Sequence, residues 1–423
     1  MRMDLTASPA TYLGIDPDDV AGGYRARGLD SLGDEQLFSL AARVVSIPKR
    51  EPADSFILHA PLELIARRAL LRYATPDRRT GVREQIVRVA ALYERAADPV
   101  DAGARPSFAS PAAACTAFAD AAAAKDLDAV DAAAAWLGEH ATTDDVMALA
   151  DTTVASLGAA GHANIYFLLL ARSAWSSRAA LGLLRPLARE VARYPEMRVS
   201  WLDDVSVGGV VRPDAGTGLA RALAATPRLG LPGTDFVFPT VHQVDAGGQA
   251  RAIVEPNLPA DLDIASRVIQ RSAAQSMLQD DPRFAPYGWT HCLTLSQAAI
   301  GVRHWLADPL HAAAIAATYV VAFRASEGAH AIEPGFEPER PAIGALDALA
   351  AEPAVAAGAV YHASDEELDS VVPELAGRGG SHDDAHVAKY TLACLDAAAS
   401  DPAAGRLYLA AAAYLGAWWA QRG

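Results

Sequence analysis

Lysine is nearly absent from this chain. Of 36 Lys and Arg residues, only Lys49, Lys125 and Lys389 are lysines. Cysteine is also scarce: Cys115, Cys292 and Cys394 form an odd set with no CxxC pair. This excludes a disulfide framework and points to reduced thiols. Aromatic residues make up 7% of the chain against 52% hydrophobic residues overall, so much of the apolar content is alanine and aliphatic. No uninterrupted apolar run reaches 18 residues and no apolar leader opens the chain, so the sequence reads as soluble and cytoplasmic, without a membrane partner. A net charge of −15 and the lack of any basic block exclude a nucleic-acid partner.

Sustained period-2 alternation is missing as well, which excludes extensive half-buried strands. What is present is apolar spacing at helical period in segment after segment, with alanine, the best helix former, filling it. The expected fold is all-α, a large multi-helix architecture around a single core. Helices are expected near 60–74, 163–173, 290–305 and 384–399, among others. Residues 1–50 read as an N-terminal extension and 51–423 as one helical domain. Gly208-Gly209, Pro213, Pro227, Pro232-Gly233, Pro239 and Gly247-Gly248 mark 200–260 as an irregular segment. Oligomeric state is not legible.

Several catalytic motifs are absent: no G-x-G-x-x-G after a strand, no P-loop, no G-x-S-x-G elbow. His382 and His386 form an H-x-x-x-H pair, but the metalloprotease glutamate is missing.

Four of the 11 histidines share a context: His59, His162, His291 and His386 each lie at or near the start of an apolar helix. A buried imidazole needs hydrogen bonds or a metal. Four in one setting suggest a shared metal, and imidazole suits iron, copper, nickel and zinc. Lys389 follows His386 by three residues, so both project from one helix face. A buried lysine can shed its proton where arginine cannot, and a neutral amine can react with CO2 to give a carbamate oxygen donor. Glu63, four residues after His59, is a rival carboxylate ligand. Pro61 is expected to mark the first turn of the helix carrying His59. Asp383 and Asp384 are read either as helix caps or as supports for a ligand histidine. Tyr166, Trp289 and Tyr390 are candidates for lining a flat substrate pocket.

Four segments resemble the questin oxidase family, whose members include anthraquinone ring-opening oxygenases of aromatic polyketide pathways. They are Ile57-Leu-His59-Ala-Pro-Leu-Glu-Leu, Gly161-His162-Ala-Asn-Ile-Tyr, His291-Cys-Leu-Thr294 with Ala298, and Asp384-Ala-His386-Val-Ala-Lys389. The resemblance implies a mononuclear non-haem iron held by His59, His162, His291, His386 and a carboxylated Lys389. It further implies Fe(II), O2 as co-substrate, a CO2-derived carbamate, NADPH or another reductant, and a small polycyclic aromatic substrate. His386 and Lys389 would be the residues nearest the chemistry. Lys389→Arg is then expected to remove activity and leave the helical fold nearly intact. Two alternatives stand beside it: a zinc-dependent hydrolase using the same histidines, and a non-enzymatic helical binding or scaffold protein.

Overall fold

The computed structural model describes residues 14–100, 106–174, 177–203, 205, 207–226, 229 and 236–422. The described residues form 21 α-helices joined by short 3-10 turns and no strand, only isolated bridges. The all-α expectation holds.

Two of the helices that build the site begin at an aspartate cap. Asp54 caps α2 (Ser55–Leu70) by accepting from the Ile57 N–H at 2.7 Å. Ahead of it, α1 (Asp34–Val45) buries Leu37, Phe38, Leu40 and Val44 in the same core. Thr75 caps α3 (Pro76–Ala96), with Pro76 at the first helical position. Further on come α4 (Ala163–Ala174), α5 (Thr290–Gly301), α6 (Pro309–Glu327), α7 (Asp365–Ser381), α8 (Ala385–Ser400) and α9 (Gly405–Ala420).

Helices α2, α4, α5 and α8 pack in a closed ring, each touching the next and α8 returning to α2. Helix α3 lies against α2, α6 against α5, and α7 and α9 against α8. Helix α6 is buried on every face from Ala312 to Glu327, as an apolar helix inside a large core must be. Small residues permit this density: α6 reads Ala312-Ala-Ala-Ile-Ala-Ala, so neighbouring backbones approach closely. No described helix is long and apolar enough to cross a membrane.

Pro61 does not mark a first turn. It is the seventh residue of α2, inside the helix, because Asp54 supplies the cap six residues before the sequence suggests one. Proline there forgoes one backbone hydrogen bond, which the surrounding packing tolerates. The 200–260 segment is less irregular than its Gly and Pro content suggests. It holds short helices at Ala215–Ala224, Val237–Ala246 and Gln249–Val254, the last two separated by Gly248 at φ +73°. Residues 204, 206, 227–228 and 230–235 of that stretch lie outside the described residues, as do 1–13 of the N-terminal 50.

Candidate metal centre

Each of the four histidines is oriented through its Nδ1 atom, by a different local device. His59 is the fifth residue of α2, and its Nδ1–H donates to the Ser55 carbonyl at 2.6 Å. His386 is the second residue of α8; Asp384 caps that helix through the His386 N–H at 2.7 Å and accepts from its Nδ1–H at 2.9 Å. His291 follows a π-helical turn at Ala285–Trp289, and its Nδ1–H donates to the Tyr287 carbonyl within that turn. Such turns often mark functional sites. Gly288 lets the Glu327 carboxylate approach the turn, where a Cβ would lie 1.7 Å from it and displace that side chain.

His162 is held by a strained turn. Ala159, Ala160 and Gly161 all have positive φ, at 53°, 51° and 93°, and the Ala159 carbonyl accepts from the His162 Nδ1–H at 3.1 Å. Two alanines in the left-handed region cost about 1–2 kcal/mol each, and such strain persists only where surroundings impose it. A Cβ on Gly161 would lie 2.4 Å from the Val237 side chain. Gly161→Ala is therefore expected to destabilise the chain by about 2–4 kcal/mol, from clash plus backbone strain. It should also weaken metal retention by moving His162. Thermal unfolding and metal content of the variant check both parts.

With every Nδ1–H committed to an oxygen, the Nε2 lone pairs are the free donors, and they converge. His162 Nε2 lies 3.2 Å from His59 Nε2 and 2.8 Å from His291 Nε2. One donor atom from each of the four residues falls within 4.8 Å of all the others. The rings contact in a closed order, His59–His162–His291–His386–His59, with centroids 4.6–5.0 Å apart, matching the ring of helices. Lone pairs 2.8 Å apart with no proton between them repel, and a cation among them removes that cost. A metal about 2.0–2.1 Å from each nitrogen puts neighbouring donors about 3 Å apart at right angles, and nearer 3.4 Å in a tetrahedron. The 2.8 and 3.2 Å edges are spacings that donors to one shared ion can take.

All four histidines are buried, and burial is the largest cause holding each well below the usual imidazole range, His291 at about 3. The Lys389 charge is the second cause in every case. They are therefore neutral near pH 7, the form that binds metals. Lys389 itself is buried and its Nζ has no hydrogen-bond partner. Burial brings its amine down to about 7, opposed by Asp384 and Glu63.

The remaining sequence candidates fall into place differently. Asp384 is both cap and histidine support, so its two readings are one. Asp383, its neighbour, does not support a histidine: its side chain is 73% exposed and bonds Arg88 and Gln85, each at 2.7 Å. Glu63 is neither a surface glutamate nor a free ligand. It is buried and accepts from Arg67 at 2.6 and 3.1 Å, while Arg67 also reaches the Gly380 carbonyl at 2.6 Å. Trp289 is buried, with its indole N–H on the Asp281 carbonyl at 3.2 Å. Tyr390 is buried, with the Cys394 thiol beside its hydroxyl. Tyr166 donates to the Leu183 carbonyl at 2.7 Å and lines a cavity of about 20 Å3 shared with Lys49 and Glu190. Tyr287 meets the cluster edge-on to His386 at 4.9 Å, and Phe323 is stacked on His291 at 6.3 Å. His382 stays outside the cluster, accepting from the Asp384 N–H at 3.0 Å.

Asp384→Ser separates the two jobs of that residue. Serine still caps the helix but is too short to reach the His386 ring. Stability should change by less than about 1 kcal/mol, while metal affinity falls about 10–100-fold. Metal titration beside urea unfolding tests this.

Comparison with known protein families, curated proteins and solved structures finds no match to this chain.

Proposed function

We propose that the chain is a non-haem iron-dependent oxygenase that uses O2 to oxidise or cleave a ring of a polycyclic, anthraquinone-like aromatic in the cytoplasm, as a step of polyketide secondary metabolism. The observation that carries the metal part is the convergence of four lone-pair donors around one point, beside an unpartnered buried amine. The substrate class rests on the family resemblance of the four histidine segments.

The residues present fit iron. Four neutral imidazoles offer converging donors, and the missing element is an anionic oxygen. Lys389 supplies it as a carbamate: the neutral Nζ attacks the carbon of CO2, an N–C bond forms, and the nitrogen releases a proton. Bound iron supplies one-electron chemistry with O2. The chain's part is to hold the donors, exclude water and keep each imidazole in the tautomer fixed by its Nδ1 acceptor. A reductant such as NADPH is compatible with this scheme.

The zinc hydrolase is the second reading: the same four imidazoles suit zinc, and the family resemblance of the four histidine segments is what ranks iron ahead of it. A scaffold whose histidines merely pack would pair each Nε2 with a donor, and these four have none but each other. Anaerobic reconstitution with Fe(II), followed by O2 uptake with and without an anthraquinone, tests the proposal. Substrate-dependent uptake is expected; O2 indifference with zinc-dependent hydrolysis would reverse the ranking.

The carbamate adds a pH prediction. The amine is neutral above about 7 and charged below it, and the charged form cannot hold CO2. In the metal-free chain, carbamate occupancy should therefore fall as pH drops through about 7. Carbon-13 NMR in labelled bicarbonate checks it.

A further inference from the structure

Between α4, α5 and α8 runs a narrow cavity of about 10 Å3, room for about one water. Lys389 and Thr294, both buried, stand in its wall. Leu169 and Leu392 make part of its apolar lining, and Arg172 and Asp396 also border it. Asp396 lies seven residues beyond Lys389 on α8, about 10 Å along the helix axis. The solvent end is closed by charge: Asp396 pairs with Arg172 and, at 3.3 Å, with Arg72, whose side chains are 40% and 60% exposed. The cavity is thus bordered both by a surface ion-pair cluster and by the residue that carries a buried amine with no hydrogen-bond partner.

We infer that this cavity is the entry route for CO2 to Lys389, with Arg72, Asp396 and Arg172 as its gate. The inference rests on the carbamate reading above. Its aliphatic walls suit a small, neutral molecule better than bicarbonate, which would have to shed its hydration. At the inner end the Lys389 nitrogen pair forms the N–C bond, one C=O pair moves onto oxygen, and the released proton passes to water. The gate ion pairs sit at side chains remote from the four imidazoles, so they set the rate of arrival and leave the equilibrium alone.

The test uses the full chain loaded with diamagnetic zinc and moved from CO2-free buffer into carbon-13 bicarbonate with carbonic anhydrase. The carbamate carbon is followed by NMR over time. Ala393→Val adds two methyl groups to the cavity wall and should slow label uptake at least about 10-fold, with the same final extent. Arg172→Ala opens the gate without filling the core and should speed uptake several-fold. Lys389→Met should take up no label. Uptake at the wild-type rate in both Ala393→Val and Arg172→Ala would overturn the route and leave the carbamate standing. No label in the wild-type chain, or equal label in Lys389→Met, would overturn both.

Discussion

Replacing Lys389 with methionine is expected to stabilise the metal-free chain by about 2–4 kcal/mol near pH 7, while abolishing substrate-dependent O2 uptake. In the unfolded chain the amine titrates near 10.5, and in the fold burial brings it to about 7. Between those values the unfolded state binds more protons, so stability rises with pH across the window. The full cost is present below about 7 and is gone above 10.5. A shift of this size corresponds to roughly 4–5 kcal/mol, and imperfect packing of methionine offsets part of the gain. Lys389→Arg should go the other way. A guanidinium cannot shed its proton, so it keeps the charge-burial cost that lysine loses as pH rises above about 7, and near pH 10 about 3–5 kcal/mol is lost relative to wild type. The sequence suggests that arginine would leave the fold nearly intact; the complete burial of Lys389 reverses that expectation. Urea unfolding of the three proteins near pH 7 and pH 10 decides it. A methionine variant less stable than wild type at the lower pH would sink the neutral-amine account.

His162→Ala is expected to empty the centre. His162 Nε2 lies against two of the other three donors, at 3.2 and 2.8 Å, so its loss opens the ring at its tightest point. A ligand at about 1,000 times its dissociation constant stabilises the native state by about 4 kcal/mol. Wild-type chain should show a thermal shift of that order on adding Fe(II) anaerobically, and the variant almost none. The metal-free variant should unfold below metal-free wild type, because losing a buried ring leaves a cavity, so the metal-induced shift and not the baseline is the readout. An unchanged metal-induced shift in His162→Ala would mean that the bound ion sits elsewhere.

The sequence carries the helices and the four histidines because both are local signals. Helical spacing and start residues place His59, His162, His291 and His386 at helix beginnings, and the fold brings those beginnings together. What it does not carry is direction. Asp383 and Asp384 are neighbours with the same chemistry, yet one faces solvent and one holds His386. Glu63 has suitable spacing from His59, but Arg67 one turn on captures it. The turn at Ala159–Gly161 has no sequence signature, since two of its left-handed residues are alanines imposed by packing. Proline misleads at Pro61 because it is read as punctuation where the helix runs through it. Glycine misleads near Gly248 for the opposite reason: one left-handed residue joins two helices rather than ending order.

Metal content per chain, measured by elemental analysis on freshly and anaerobically purified protein, tests the central claim most directly. Near-stoichiometric iron, or its uptake by the metal-free chain to that level, is the predicted result. A chain that holds no metal after anaerobic iron addition would contradict a centre built from four converging imidazoles.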